Sequence, residues 1–497
     1  MDAANDWSYR YKHLSGYALL FCLIMSGAAQ AEPLPWLAGI LADPFASEEK
    51  AAGLVSPELK PDSCQLPDVT HKLHFNDVVI AALCNNPDTK AAYLNLLGQA
   101  ASMVSNYSGY LPNAAASYDH GRTTSFGENS KSTSINSSYG VSLGMTLYDF
   151  GQREFKLETA ELALMAAGQS YNSTLQGAIA SALQGYYGLL TAQNALGVAN
   201  ESEGFAKASY DAAALRHQIG QVPLADELQA KGSYSQAQLA TQSAQNALSL
   251  QQAALAILMG LPADAGVQVA EVDDNTLAQD PFGGQVQALM EKAKEKRNDL
   301  QASRTSLKAS EVSLQALKRG DLATVSATAN LNASNDRVNV LSRDASRSQG
   351  IGLSVSIPIF TGFSQTYSER AAEKSLEAQR ETLIKTELGV EQDVWNAWHN
   401  YETAKQSWKT SQDQIASATQ LKDVALGRYK EGLGSILDVL NAQVQYSSAL
   451  QSQLQTRYSL LTSRVDLVRS AGVLDLNTMR PDVVSQDAPL SPPEAKE

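Results

Sequence analysis

Cysteine is scarce in this chain, with three residues among 497, so a small disulfide-stapled scaffold is excluded. Charged residues make up 18% and aromatic residues 7% of the sequence. Ala, Ser, Gln, Leu and Asn take their place, a mixture suited to long helices packed closely together. The charge is lopsided: 38 Lys and Arg against 52 Asp and Glu give a formal net charge of −14, which argues against nucleic acid as a partner. Beyond the first residues no run approaches the ~18 uninterrupted apolar residues of a spanning helix, so any membrane crossing falls to β-strands. Catalytic patterns are missing too. The six histidines (His13, His71, His74, His120, His217 and His399) show no H-E-x-x-H or other ligand spacing. Neither a Gly-rich phosphate loop nor a nucleophile elbow occurs. No enzymatic activity, cofactor or metal is expected.

The first residues read as a secretory signal. Arg10 and Lys12 form a basic start, residues 14–25 an apolar centre, and Ala29-Gln30-Ala31 a cleavage site. The apolar run falls short of the ~20 residues a membrane anchor needs, so cleavage after Ala31 is expected. Cys22 leaves with the signal. Cys64 and Cys84 remain, with 19 residues between them, and in an exported chain they are a disulfide candidate worth about 3 kcal/mol. The alternative is two free buried thiols.

What the chain does contain is a repeat. Residues 213–230, AALRHQIGQVPLADELQA, and 425–442, ALGRYKEGLGSILDVLNA, share Ala, Arg, Gly, Asp, Leu and Ala at a constant offset of 212. The pairs include Arg216/Arg428, Gly220/Gly432 and Asp226/Asp438. The same offset lays 140–150, GVSLGMTLYDF, over 352–362, GLSVSIPIFTG. Residues 73–260 and 284–472 are therefore read as two copies of one unit. They follow a signal (1–31) and an N-terminal segment (32–72), are joined by a linker (261–283), and precede a tail (473–497).

Each copy opens with a capped helix, at Asn86-Pro87 and at Asn298-Asp299. Two period-2 runs follow, within 111–149 and 322–361. Val141, Leu143, Met145 and Leu147 alternate with small or polar residues, as do Ile351, Leu353, Val355, Ile357 and Ile359. That pattern fits strands between lipid and water; half-buried strands of a soluble sandwich are the alternative. Long helical runs come next, 151–218 and 363–430. In the first, Leu175, Ile179, Leu183, Tyr186 and Leu190 form a packing stripe. The repeated turns, 216–226 and 428–438, then reverse the chain into shorter helices ending at Gly260 and Gly472. By length, the first returning helix is expected to stack on the helix from Asn298, and the second on the helix from Pro87. The two turns become tips at one level, away from the strands. Four strands cannot close a membrane barrel, which needs at least about eight, so several chains must pool them; three would give twelve.

At this point the sequence resembles the outer-membrane factor (TolC) family. The resemblance runs from about residue 73 to 472 and rests on the duplicated R-x-x-x-G-x-x-x-x-x-D-x-L-x-A tip, the Leu-Tyr-Asp and Ile-Phe-Thr strand exits and the Asn-Pro helix start. It implies a mainly α protein with membrane β: a homotrimeric 12-stranded barrel in outer-membrane lipid, continuous with a periplasmic α-helical barrel. It also implies a periplasmic adaptor and an inner-membrane transporter, either an ABC exporter or a proton-driven pump. The stretch around Cys64 and residues 82–90 is most similar to the CyaE-type subgroup, which implies type I protein secretion. Small-molecule efflux is the alternative, and a trimeric stalk or adhesin is the alternative of another class.

Asp226 and Asp438 each lie six residues past a tip glycine. Threefold symmetry would make each a carboxylate ring at the narrow end, where charged rings select cations. Equally, both suit the start of a helix. The resemblance implies that Asp438 lines the constriction and that Tyr429 bonds to Asp226 to hold the tip shut. Gly434 stands where some members carry a gate arginine, and Asn441 where they carry a second ring Asp. Arg216 and Arg428 either cap the outgoing helices or contact the adaptor. Trp395, Trp398 and Trp408 are expected to be packing residues.

Overall fold

The computed structural model describes residues 43–54, 69–127, 130–271, 286–338 and 342–474. The signal sequence, Cys64, most of the linker and nearly all of the tail lie outside the described residues. Two compact units divide the chain, Met1–Glu49 and Lys50–Glu497. At the boundary, the Asp43 carboxylate accepts from the Ser47 hydroxyl (3.0 Å) and the Glu48 N–H (3.2 Å), opening the short helix α1 (Ser47–Ala52).

The second unit carries α2 (Phe75–Asn85), α3 (Pro87–Tyr107), β1 (Asn113–Gly127), β2 (Ser130–Tyr148), α4 (Gln152–Gln218) and α5 (Leu224–Leu258). The same order then recurs: α6 (Val286–Lys296), α7 (Asn298–Lys318), β3 (Thr324–Val338), β4 (Ser342–Ser356), α8 (Ser364–Lys430) and α9 (Ile436–Ser470). The helices α4 and α8 are each 67 residues long, about 100 Å at ~1.5 Å per residue. Their partners α5 and α9 are each 35 residues. Helix α3 starts as its sequence dictates: the Asn86 side chain accepts from the Asp88 N–H at 2.8 Å, and Pro87 occupies the first turn, where no N–H is needed.

The predicted stripe on α4 is the centre of the core. Leu175, Ile179, Leu183, Tyr186 and Leu190 are all buried, against Val78, Leu96, Leu255, Met259 and Val267. Tyr186 donates to the Ala270 carbonyl at 2.7 Å; burial, reinforced by Tyr187 and Asp77, pushes its hydroxyl up to about 12. Trp398 and Trp408 pack against a second cluster with Tyr401 and Leu460. Trp395 does not: it is half exposed and meets the His399 ring edge-to-face, with centroids 4.5 Å apart.

The helix stacking differs from the length-based expectation. Helix α5 meets α3, not α7: the Asn86 amide donates to the Leu258 carbonyl at 3.2 Å. A Cβ on Gly260 would sit 2.6 Å from the Asn85 carbonyl oxygen. Helix α9 meets α7, not α3, with Gly472 so placed that a Cβ would lie 2.8 Å from the Arg297 nitrogen. Each shorter helix therefore ends on a helix of its own half. Because α3 and α7 are both 21 residues long, length alone could not separate the two pairings. The close approach depends on glycine at positive φ, 71° at both positions, which closes a turn that L-side chains resist.

The four strands form one antiparallel sheet in the order β1-β2-β3-β4. Register places Ala114, Leu143, Ala329 and Ile351 in one cross-strand row and Ala116, Val141 and Leu331 in the next. The alternating apolar residues of all four strands thus share one face. β1 and β4 are its edges.

Candidate functional site

Two places carry function-bearing geometry: the sheet and the helical tips. On the sheet, the apolar face is bare in the single chain, with Ile351 93% and Leu353 69% exposed. Aromatic pairs bound it at both ends. Tyr118 and Tyr139 lie 4.9 Å apart toward the hairpin ends. Tyr148 and Phe150 (4.8 Å) and Phe360 and Phe363 (5.3 Å) lie at the helix end. From Tyr139 to Tyr148 is about 30 Å along the strand. At a tilt of ~40° that is a height near 23 Å, against ~25 Å for the apolar band of a membrane barrel. Edge strands expose unpaired N–H and C=O groups, which hydrocarbon does not tolerate.

The tips are two helix ends of one kind. Gly220 and Gly432 take φ of 77° and 74°. The Gly220 N–H donates to His217 O and the Gln221 N–H to Arg216 O; likewise the Gly432 N–H donates to Tyr429 O and the Leu433 N–H to Arg428 O. These are paired Schellman turns. Ala213, Ala230, Ile436 and Leu440 form a buried cluster, with Tyr210 and Tyr429 against it, so one cluster joins both turns. The Arg216 guanidinium lies 4.6 Å from the centre of the Tyr429 ring. Arg216 therefore covers an aromatic face, while Arg428 reaches back to the Leu433 carbonyl at 3.4 Å.

Asp438 makes a reciprocal capping box at the start of α9. Ser435 N–H donates to its carboxylate (3.1 Å) and Asp438 N–H to the Ser435 hydroxyl (3.2 Å). The Ser435 backbone N–H, then the Ser435 hydroxyl, hold the carboxyl below its usual value, and Arg428 adds to this. Asp226 occupies the first turn of α5, half-buried. The Tyr429 hydroxyl is buried with no hydrogen-bond partner among the described residues, so the bond to Asp226 that the resemblance implies is not made within the chain. At Gly434 a Cβ would lie 3.3 Å from Arg428 Cβ and Tyr429 N: the tight turn leaves little room for the gate arginine.

Other residues escaped the sequence reading. His217 meets the Val222 carbonyl through Nδ1 at 3.1 Å and lies 4.0 Å from Glu227, bracing the first tip. At the strand exit the Asp149 carboxylate accepts from the Arg153 N–H (3.1 Å) and Nε (2.9 Å). Arg153 also donates to the carbonyls of Gly109 and Thr146. The i,i+4 Asp–Arg spacing was the available signal. Arg297 grips Asp299 bidentately and reaches Asp393 at 2.8 Å, beside a polar cavity of about 220 Å³ lined also by Asp466 and Arg469. Cys84 is buried and disulfide-bonded; its candidate partner Cys64 lies outside the described residues. No group of three or more His, Cys, Asp or Glu that could hold a metal occurs among the described residues.

The sequence profile of the family described as "Outer membrane efflux protein" matches residues 78–261 and 289–473. The chain belongs to that family. Among its relatives is Protein CyaE of Bordetella pertussis, 27% identical over 453 residues, 89% of this chain and 92% of CyaE. Another is the probable efflux pump outer membrane protein TtgC of Pseudomonas putida, 25% identical over 416 residues, 81% and 83% of the two chains. In fold, the chain is similar to the Campylobacter jejuni CmeC outer membrane channel, with a TM-score of 0.71 at 20% identity, covering 80% of this chain and 85% of that one. The open state of the Neisseria gonorrhoeae MtrE outer membrane channel gives 0.65 at 19% identity over 80% and 89%. The family is one of outer membrane channel proteins.

Proposed function

We propose that three copies of this chain pool their sheets into a 12-stranded barrel in outer-membrane lipid, above a periplasmic tunnel of twelve helical columns. The observation that carries this is the four-stranded sheet with one bare apolar face of membrane height and two open edges; only closure with further strands satisfies those edges in lipid. Signal cleavage near Ala31 delivers the chain. Equal lengths of α4 and α8, and of α5 and α9, support an internal duplication, and Cys64 is the partner assigned to Cys84. The tips dock on a periplasmic adaptor, with Arg216, Arg428 and the turn glycines at the contact, and the adaptor joins the duct to an inner-membrane transporter. Asp438 and Asp226 line the constriction that Tyr429 helps to close. Purified protein should run at the mass of three chains and conduct in planar bilayers; a stalk or adhesin would conduct nothing.

The cargo is protein, exported by a type I system with an ABC exporter. The similarity to CyaE over 89% of the chain supports this; the TtgC relative favours the second reading, small-molecule efflux with a proton-driven pump. Deleting the gene decides between them. Loss of a protein from the culture medium with unchanged drug sensitivity fits secretion, and the reverse outcome overturns it.

A further inference from the structure

The charged residues of the sheet are sorted by face. Its strands hold five basic residues, Arg122, Lys131, Arg337, Arg343 and Arg347, and three acidic ones, Asp119, Asp336 and Asp344. Register puts every basic position on the apolar, outward face. Arg122, Ile135, Arg337 and Arg343 form one row, Tyr118, Tyr139, Ala333 and Arg347 another, and Lys131 pairs with Phe126. The three acidic positions all fall on the opposite face, with Asp336 directly across from Asp344.

The height of the basic positions is as selective as their face. None lies within the apolar belt. Arg347 is level with the Tyr118–Tyr139 pair. The Arg122–Arg337–Arg343 row is four residues beyond, about 13 Å along the strand, which a ~40° tilt reduces to roughly 10 Å. That is the depth of the lipid headgroups. Arg337 and Arg343 occupy directly opposite positions in the register. Arginine is the side chain whose planar fork suits phosphate, and four of the five basic positions are arginine.

We propose that this outward row is a binding site for the phosphate groups of outer-leaflet glycolipid, a basic collar set just above the aromatic level. It rests on the membrane-barrel reading above. Asp119, Asp336 and Asp344 then line the mouth of the pore, keeping their charge away from the lipid phosphates.

The test uses the purified full chain, with bound lipid measured by native mass spectrometry. Bisphosphorylated lipid A is compared with lipid A stripped of both phosphates. The wild type should retain the phosphorylated form more than about tenfold better, since basic groups near an anionic surface add their attractions together. R122Q/R337Q/R343Q/R347Q should abolish that preference, whereas D119N/D336N/D344N should keep it. Equal retention of the two lipids by the wild type overturns the proposal, and this arm needs no variant to fold. So does displacement of the lipid by millimolar inorganic phosphate, which would mark a free-anion site. Conductance in phosphatidylcholine bilayers is recorded in parallel. A conducting protein without the lipid preference sinks the collar alone; a protein that never conducts sinks the barrel reading itself.

Discussion

Arg216 and Tyr429 belong to opposite halves of the chain, yet the guanidinium stacks on the phenol ring at 4.6 Å. A cation–π contact at a partly exposed site is worth about 0.5–1 kcal/mol. Arg216→Met should therefore loosen the tip, raising the channel's open fraction about twofold to fivefold, as read by single-channel recording. Tyr429→Phe keeps the ring under Arg216 and removes a buried hydroxyl that has no partner among the described residues. Its effect should be near neutral, or closing by up to about 1 kcal/mol; a marked rise in open fraction would show that a neighbouring chain bonds that hydroxyl. Asp438 gives a pH prediction. Its folded-state value lies below the ordinary 3.8, so its contribution to the start of α9 is complete above that pH. It is lost as pH falls through the lower folded value. Amide exchange across the first turn of α9 should accelerate below pH 3.8 and show no such step in Asp438→Asn. Unchanged cation selectivity in the same variant would leave Asp438 as a helix-capping residue only.

At the scale of elements, the ends of α5 and α9 decide how each half is built. Gly260 and Gly472 combine positive φ with a neighbouring backbone where a Cβ would be. Gly260→Ala and Gly472→Ala should each cost about 1–3 kcal/mol, seen as a lower unfolding midpoint. Gly220→Ala has the same sign of φ but open space around it, so only the left-handed strain of roughly 1 kcal/mol remains. Equal losses at Gly220 and Gly260 would contradict the stacking of α5 on α3. The recurring glycines were legible in the sequence as helix stops. What each stop rests on was not, because two candidate helices of equal length leave the pattern degenerate.

For the molecule as a whole, the open sheet edges and the exposed apolar face set the assembly. Ile351 and Ile359 are more than nine-tenths exposed in the single chain. Surface of that kind calls for lipid or a partner. If three chains pool their sheets as proposed, Leu353→Arg, in the middle of the belt, should cost about 2–4 kcal/mol in a bilayer and reduce the yield of assembled trimer in outer-membrane fractions. The same change at Ser354, on the other face, should leave assembly intact and shift ion selectivity. Equal effects at both positions would be incompatible with lipid on one face and water on the other.

The sequence by itself determined the elements and their order. Period-2 runs gave the strands, the stripe from Leu175 to Leu190 gave the core of α4, and the offset of 212 gave the recurring turns. These signals are local, written in spacings of two to four residues or in direct self-similarity. Only the tertiary structure decided that α5 ends on α3 and α9 on α7, that Arg216 covers Tyr429, and that basic and acidic strand residues separate by face. Each of these depends on which distant segments meet and in what register. Spacing along one segment carries no information about its neighbour, and a register shift of one residue would have sent the same charges to opposite sides.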